Sequence, residues 1–429
     1  MFGTAGLRLE ERRLIFYNGL FLLLAAVVLL LGGDKDDMTA NIKSVTVLLG
    51  AFVAFMLLSY IWQITGFKAD CYILPIVFGL TSIGLIFLMR LKPDYAFRQF
   101  IWLLVALTVL IIVTTLFRNY HRLSEYTYIY ALLGVVALIL PIFFGVEQYG
   151  ARSWLGFAGF QIQTSEFVKI LLVLFLAAFL AENRRILTAG TATWLGIPLP
   201  GPREWGPLVA MWGVALIILV FQRDLGTALI YFCTFLAMIY AATARIFYVL
   251  FGLVAFLLSG FASYQLFDHV QARVNIWLDP WPYFETSGYQ LIQSLFAIGS
   301  GGVFGSGLGA GSPDLIPAVH TDFIFAAVCE EMGLLGGCGL IILFIIFVYR
   351  GLKTAMAAKD EFSALVAAGL TALMGLQAFI IVAGVIKLLP LTGVTLPYVS
   401  YGGSSLVANF IILGLILNIS HKAGLEHEK

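Results

Sequence analysis

The chain has 429 residues, of which 61% are hydrophobic and 11% are charged. A soluble domain is about half apolar and about a quarter charged, so this composition excludes an ordinary soluble protein and indicates a membrane protein. The net charge of +1 and the lack of any Lys- and Arg-rich run give no basis for nucleic-acid binding.

Apolar runs long enough to cross a bilayer follow one another along the whole chain, since a span needs about 17 to 25 residues. The twelve runs lie near residues 14–33, 44–66, 71–89, 99–117, 127–145, 166–181, 206–222, 225–242, 246–267, 322–349, 361–386 and 403–420. The first run is predicted to be a span and not a signal peptide, because no small-residue cleavage site follows it. The sequence therefore predicts an all-α polytopic membrane protein with about twelve transmembrane helices.

The larger share of the 25 Lys and Arg residues lies in alternate connections, beginning with the N-terminal segment. This bias predicts that both termini are cytoplasmic. Three long segments then lie outside: Gly150–Ser165, His269–Thr321 and Lys387–Ser405. Because they are rich in Gly, Trp and Tyr with interleaved apolar residues, we expect functional loops that line one outward-facing cavity.

An Asp and two Glu residues stand beside or within one apolar run. Asp322 follows Thr321, an expected N-cap, and Glu330 and Glu331 come later in the same helix. A carboxylate in a span costs free energy unless it has a role. Asp322 is either a first-turn residue that complements the helix dipole or a general base at the membrane surface. For the two Glu residues, structural hydrogen bonds are the preferred interpretation.

Glu166 and Lys169 are three residues apart at the start of a predicted helix and therefore neighbours on one face. They form either a structural ion pair or a site in which Lys169 binds a phosphate. Arg152 and Arg273 supply further positive charge or act as interfacial anchors. On the phosphate hypothesis, Lys169→Met weakens substrate use far more than stability.

Trp154, Trp277 and Trp281 have two interpretations, an interfacial aromatic belt or a surface for stacking sugars. The glycine-rich stretch 299–311 lacks the preceding strand of a phosphate-binding loop, so it is interpreted as a tightly packed or flexible turn.

Taken together, the motifs resemble the SEDS family of membrane proteins, which includes FtsW, RodA and SpoVE. The matching segments are GARSWLGFAGFQIQTSEFVKI (150–170), QRDLGTAL (222–229), WLDPW (277–281), GYQLIQSL (288–295), HTDFIFAAVCEEMG (320–333) and LTGVTLPYVSYGGSS (391–405). The family core has ten spans, which implies two extra N-terminal helices in residues 1–66, a core in 67–429 and a large outer loop at 269–321. Arg223 departs from the pattern, which usually has Pro before the Asp, and this leaves the role of Asp224 uncertain.

The resemblance implies an inverting peptidoglycan glycosyltransferase that polymerises lipid II at the outer face of the bacterial cytoplasmic membrane. A lipid II flippase is the alternative. The implied base is Asp322, and the implied partner is a class B penicillin-binding transpeptidase. No metal ligands are predicted, although a divalent cation such as Mg²⁺ stays open. The residues expected to bind substrate or shape its cavity are Lys169, Arg152, Trp154, Glu166, Arg273, Trp277, Gln290, Gln293, His320, Thr321, Ser400 and Ser404.

Overall fold

A computed structural model describes residues 4–32, 38–118, 120–148, 151–157, 160–189, 192–194, 197–199 and 202–427. Most of these residues are helical. The α-helices are α1 (Thr4–Gly32), α2 (Met38–Ile64), α3 (Ile73–Leu91), α4 (Pro93–Leu116), α5 (Thr127–Phe144), α6 (Thr164–Ala189), α7 (Pro202–Phe221), α8 (Leu225–Thr243), α9 (Ile246–Leu266), α10 (Asp268–Leu278), α11 (Tyr289–Gly301), α12 (Ile324–Ala357), α13 (Glu361–Val385) and α14 (Gly403–His427).

The prediction of about twelve transmembrane helices is confirmed. In the described residues, eleven helices are long and apolar enough to cross a membrane, and α7 contributes a shorter apolar stretch, Trp212–Phe221. The two remaining helices, α10 and α11, lie within the predicted outer loop. The apolar runs locate the helices well because a span is specified by its own composition.

Short strands that the sequence analysis did not predict occur between helices. They are β1 (Val146–Gln148), β2 (Ala151–Phe157), β3 (Phe160–Gln163), β4 (Ala192–Trp194) and β5 (Ile197–Leu199). The first three form an antiparallel sheet in the order β1-β2-β3. The alternation of apolar and polar residues in Phe160–Gln163 is the local pattern for a strand. The segment Gly150–Ser165, which was predicted to be a functional loop, therefore contains strands β2 and β3 of a sheet between α5 and α6.

Helices differ in how much of their surface they bury within the bundle. Helices α3, α6 and α14 are buried along most of their length, whereas α1 and α9 expose most of theirs. Helix α1 packs against α2 and α3. A buried polar cluster fixes this attachment: Arg8 pairs with Glu11, Ser59 donates to Glu11 at 2.6 Å, and Arg8 donates to the Phe67 carbonyl at 2.6 Å.

The glycine-rich stretch 299–311 packs against α12. The Ser312 amide donates to Glu330 Oε1 at 2.7 Å, and the Gly309 amide donates to Glu331 Oε2 at 3.1 Å. Arg90 Nε donates to Glu331 Oε1 at 3.2 Å. The two Glu residues therefore hold the loop before α12 against the bundle by structural hydrogen bonds, as predicted.

Candidate active site

Asp322 lies in a turn just before α12. The helix begins at Ile324, and Phe323 occupies the N-cap position without a side-chain cap. The N-cap prediction for Thr321 is wrong, because its hydroxyl donates to the Ala318 carbonyl at 2.9 Å and the fully buried Phe323 anchors the chain at the helix start. Asp322 is therefore not a first-turn residue, which weakens the helix-dipole alternative.

The segment between α13 and α14 fixes this turn. Ser400 Oγ donates to the Thr321 carbonyl at 2.5 Å and accepts from the Leu396 amide at 2.9 Å. The Tyr401 amide donates to the His320 carbonyl at 2.9 Å. These bonds join two of the three predicted outer segments and leave little freedom to the backbone that carries Asp322.

Gly393 brings backbone close to the Asp322 carboxylate. Its φ of +70° lies in the left-handed region that favours glycine, and a Cβ added there would lie 3.6 Å from Asp322 Oδ2. On the other side of this segment, a Cβ on Gly226 would lie 2.6 Å from the Thr392 carbonyl oxygen. The chain at residues 391–394 therefore runs between Asp322 and the start of α8.

Arg273 on α10 is within electrostatic reach of two carboxylates, those of Asp224 and Asp322. Its Nη1 donates to the carbonyls of Leu391 at 3.3 Å and Thr392 at 3.4 Å. Burial lowers the pKa of Arg273, whereas the negative charges of Asp224 and Asp322 raise it. Because an arginine stays protonated in proteins, the guanidinium is a fixed positive charge within electrostatic reach of Asp322.

The half-buried Asp322 has an environment suited to proton transfer. Burial raises its pKa to about 6, while the adjacent Thr321 side chain and the charge of Arg273 lower it. At neutral pH the group is therefore mostly ionised, yet it is more basic than an ordinary Asp. A general base works best when its pKa is close to the operating pH.

Asp224, whose role the sequence left uncertain, has well-defined partners. It is the N-cap of α8, where Oδ1 accepts from the Thr227 amide at 3.1 Å and Oδ2 accepts from Gln163 Nε2 at 3.3 Å. Burial raises its pKa. The preceding Arg223 has a φ of +59°, which proline cannot adopt. The backbone here therefore differs from one that carries Pro at this position.

The β2–β3 hairpin brings the third of the predicted outer segments to the same place. Trp154 is half-buried and pairs with Gln163 across the two strands, so their side chains share one face. The Gln163 amide donates to Ser404 Oγ at 3.3 Å. Gln163 was not singled out from the sequence, because an uncharged amide carries no local signal. The side chain of Arg152 lies outside the described residues.

Lys169 and Glu166 form the predicted neighbouring pair inside the bundle. Lys169 Nζ lies 2.5 Å from Glu166 Oε2, 2.9 Å from Asn409 Oδ1 and 3.1 Å from Gln377 Oε1. These three partners match the three N–H donors of an ammonium group. A phosphate would have to displace one of them, so direct substrate binding by Lys169 stays a prediction.

Other predicted contacts lie in the long segment before α12. Trp277 Nε1 donates to the Lys387 carbonyl at 3.2 Å, and Gln290 Nε2 donates to the Pro317 carbonyl at 3.1 Å. Gln293 is half-buried on α11. His320 is buried, and burial together with Lys92 lowers its pKa to about 4. His320 is therefore neutral at pH 7 and supplies no positive charge.

Within the described residues, no group of three or more His, Cys, Asp and Glu side chains is placed to hold a metal ion. The positive charge near Asp224 and Asp322 is that of Arg273. Asp224 and Asp322, with Arg273 near them, therefore do not form such a group.

The fold and this site define a polytopic membrane protein with a carboxylate and a guanidinium where three connecting segments meet at one end of the bundle. The profile of the FtsW, RodA and SpoVE family, described as "Cell cycle protein", matches residues 72–424, and the chain belongs to this family. It is a multi-pass membrane protein, and the relatives reported below are bacterial.

Two relatives show the extent of the similarity. The chain is 42% identical over 364 residues to "Peptidoglycan glycosyltransferase RodA" of Mycobacterium leprae, covering 82% of this chain and 78% of the relative. It is 38% identical over 290 residues to "Stage V sporulation protein E" of Bacillus subtilis, covering 67% of this chain and 76% of the relative.

Solved structures agree with the fold. A chain from a study of the structural coordination of polymerization and crosslinking by a peptidoglycan synthase complex has a TM-score of 0.67 at 26% identity, with 83% of this chain and 98% of that chain covered. The rod shape determining protein RodA of Thermus thermophilus has a TM-score of 0.59 at 25% identity, with 82% and 96% covered.

Proposed function

We propose that this protein is a peptidoglycan glycosyltransferase that polymerises lipid II into glycan strands. The observation that carries the proposal is the half-buried Asp322, whose pKa is raised to about 6 in a site that also holds Arg273. The name of the Mycobacterium leprae relative supports the same activity. The reaction needs a base for a sugar hydroxyl and a cation for a pyrophosphate, and the site contains one of each.

In the proposed step, Asp322 accepts the proton of the acceptor hydroxyl as the hydroxyl oxygen attacks the anomeric carbon of the donor sugar. The bond from that carbon to the pyrophosphate oxygen breaks, and undecaprenyl pyrophosphate leaves with the bonding electrons. Displacement in a single step inverts the anomeric configuration, so one base is sufficient. Arg273 stabilises the negative charge that develops on the leaving group.

The other predicted residues divide by what they contact. Trp154 and Trp277 present half-buried indoles near the site, suited to packing against sugar rings. Ser400 and Ser404 hydrogen-bond to backbone and thereby hold the site together. For the remaining candidates, direct contact with substrate is part of the proposal: Arg152, Glu166, Lys169, Gln290, Gln293, His320 and Thr321.

A class B penicillin-binding transpeptidase is the proposed partner. The similar chain from the peptidoglycan synthase complex supports this, because that complex coordinates polymerization with crosslinking. The distribution of Lys and Arg supports cytoplasmic termini. The end of the bundle that carries Asp322 then faces outward, where a strand under synthesis can be passed to a transpeptidase.

The test is polymerisation of lipid II by the purified full chain with its transpeptidase partner. Asp322→Asn keeps the size of the side chain and removes the base, so we expect the rate to fall by about 10²- to 10⁴-fold. Asp314→Asn is the matched control, because Asp314 is exposed in the same outer segment. Polymerisation by D322N at the wild-type rate would show that Asp322 is not the base.

The same variant separates a polymerase from a flippase. Vesicles that contain D322N are assayed for movement of lipid II across the bilayer and for polymer. Sustained lipid movement without polymer, at the wild-type rate of movement, would favour the transporter.

A further inference from the structure

Helices α1 and α2, which precede the region matched by the family profile, enclose an open groove of about 520 Å³. Arg12 and Arg13 lie in its wall, together with the apolar side chains of Phe16 and Met56. A cavity of this size is in the range of small-molecule sites, about 300 to 1,000 Å³. Because the groove combines guanidinium groups with lipid-facing apolar surface, it suits a ligand that has both an anionic group and an apolar part.

The two arginines retain hydrogen-bonding capacity. Arg12 donates through Nη1 to Gln63 and its guanidinium lies 4.6 Å from the centre of the Tyr60 ring. Arg13 donates through Nη1 to Glu10 at 2.8 Å. A guanidinium carries five N–H donors in a planar fork that fits phosphate. These contacts therefore orient both groups while leaving donors for an anionic ligand.

The charge is concentrated at the groove and not deeper in the helix pair. Arg8 and Glu11, one turn away, form a buried ion pair whose charges offset each other. Arg12 is half-buried and Arg13 is exposed. An anion at the groove therefore meets the guanidinium of Arg12 and that of Arg13, whose ion pair with the exposed Glu10 offsets part of its charge.

The surrounding side chains place the groove at the level of lipid headgroups. Tyr17 and Tyr60 both line it and are 63% and 48% exposed, and amphipathic aromatic residues concentrate at membrane interfaces. Phe16, 50% exposed, continues the wall along the lipid-facing side of α1. A headgroup at the arginines would thus have an apolar surface beside it for a chain.

We infer that this groove binds one anionic phospholipid, with its phosphate on Arg12 and Arg13 and an acyl chain along Phe16 and Met56. Basic pockets between transmembrane helices on the cytoplasmic side recognise such headgroups. The distribution of Lys and Arg puts this end of α1 and α2 on that side. The bound lipid would hold α1 and α2 together at this end, and this inference does not depend on the proposed enzymatic function.

The test uses the purified full chain in detergent micelles that contain phosphatidylglycerol and phosphatidylcholine. Native mass spectrometry then counts the lipids that each protein molecule retains. The wild type is expected to retain one phosphatidylglycerol. In Arg12→Gln/Arg13→Gln, we expect its affinity to fall roughly thirtyfold. Arg122→Gln/Lys353→Gln removes the same charge from exposed positions on the same predicted side and should retain the lipid.

A second variant tests the groove without altering charge. Met56→Trp fills the apolar part, so it should also lose the lipid, whereas attraction to a charged surface alone would be unchanged. The inference is overturned if R12Q/R13Q retains phosphatidylglycerol, if the R122Q/K353Q control loses it equally, or if M56W binds as the wild type does. A wild-type dimer that R12Q/R13Q converts to a monomer would assign the groove to a second copy of the chain.

Discussion

Two regions of the molecule place an acidic and a basic side chain together, with different surroundings. Inside the bundle, Lys169 contacts Glu166, Gln377 and Asn409, and its ammonium donors are all engaged. At the end of the bundle, Asp322 is half-buried near Arg273, which donates hydrogen bonds to backbone carbonyls. The Lys169 cluster therefore has no donor left for a further ligand, whereas the Asp322 carboxylate stays accessible.

The difference shows which charges are available for chemistry. A buried charge with a complete set of partners contributes to structure, since any other ligand has to replace an existing contact. A partly buried carboxylate with a raised pKa and a nearby cation can exchange a proton at neutral pH. A charged residue in a membrane protein is therefore a candidate functional residue. The number of its hydrogen-bond and ion-pair partners distinguishes a structural charge from one that is available for chemistry.

The largest expected effect is on stability, in the closed region. Lys169→Met leaves the Glu166 carboxylate buried without its cation, so we expect the free energy of unfolding to fall by about 3 to 5 kcal/mol. Denaturant unfolding of the purified chain in micelles measures this loss.

The control for this change is Glu166→Gln/Lys169→Met, which removes both charges and should recover much of the lost stability. If K169M keeps wild-type stability but loses use of lipid II, Lys169 binds the substrate phosphate, which is one of the two hypotheses from the sequence.

The next effect concerns the accessible region. Arg273→Gln removes the charge that lowers the pKa of Asp322, so this pKa should rise above about 6. Because the base acts when ionised, the acidic limb of the profile of kcat/KM against pH should move to higher pH. Loss of a cation near the leaving group should also reduce kcat by roughly 10²-fold. Polymerisation rates measured between pH 5 and 9 report both changes.

Arg273→Lys is the matched variant, because it keeps the charge and loses the planar fork that reaches the carbonyls of Leu391 and Thr392. We expect its acidic limb to stay closer to the wild type than that of R273Q. An unchanged limb in R273Q would mean that Arg273 does not act on Asp322.

The stability of the Asp322→Asn protein sharpens the same point. The pKa of Asp322 is raised on folding from 3.8 to about 6, so the folded protein binds the proton more tightly. Its contribution to stability is therefore present below pH 3.8 and is lost as the pH rises to about 6. At pH 7 the folded wild type therefore buries an ionised carboxylate, which is unfavourable. Asn at this position is uncharged, so D322N should be at least as stable as the wild type at pH 7 while losing activity.

Much of the fold was predictable because each span is specified by its own apolar run. Asp322 could also be picked out as a candidate from the sequence, since a carboxylate next to such a run is costly wherever the rest of the chain lies. The N-cap at Thr321 was predicted wrongly because the prediction used local propensity alone, which favours Thr at an N-cap. In the structure Phe323 is fully buried and occupies the N-cap position of α12.

The partners of Asp322 could not be predicted, because they come together only in three dimensions. Arg273 reaches the segment at residues 391–394 across more than a hundred residues of sequence, and Gln163 on β3 reaches Asp224 at the start of α8. Neither pairing has a local pattern. Gly393 likewise looks like any other loop glycine until its backbone is placed beside the carboxylate.

The smallest expected effect tests the turn that leads into Asp224. Arg223 adopts a φ of +59°, a left-handed conformation that costs a residue with a Cβ about 1 to 2 kcal/mol. Glycine adopts this conformation readily. Arg223→Gly should therefore stabilise the protein slightly, by up to about 1 kcal/mol after the greater flexibility of glycine in the unfolded chain is included. Denaturant unfolding in micelles measures this change.

Arg223→Pro gives the opposite outcome at the same position, because the proline ring fixes φ near about −65°. The turn would have to rearrange, which would displace Asp224 from the Thr227 amide and from Gln163. We expect R223P to be less stable than the wild type and R223G to be no less stable. If R223P matched R223G in both stability and polymerisation, the left-handed turn would not be what positions Asp224, and the site would tolerate the proline that the family usually has there.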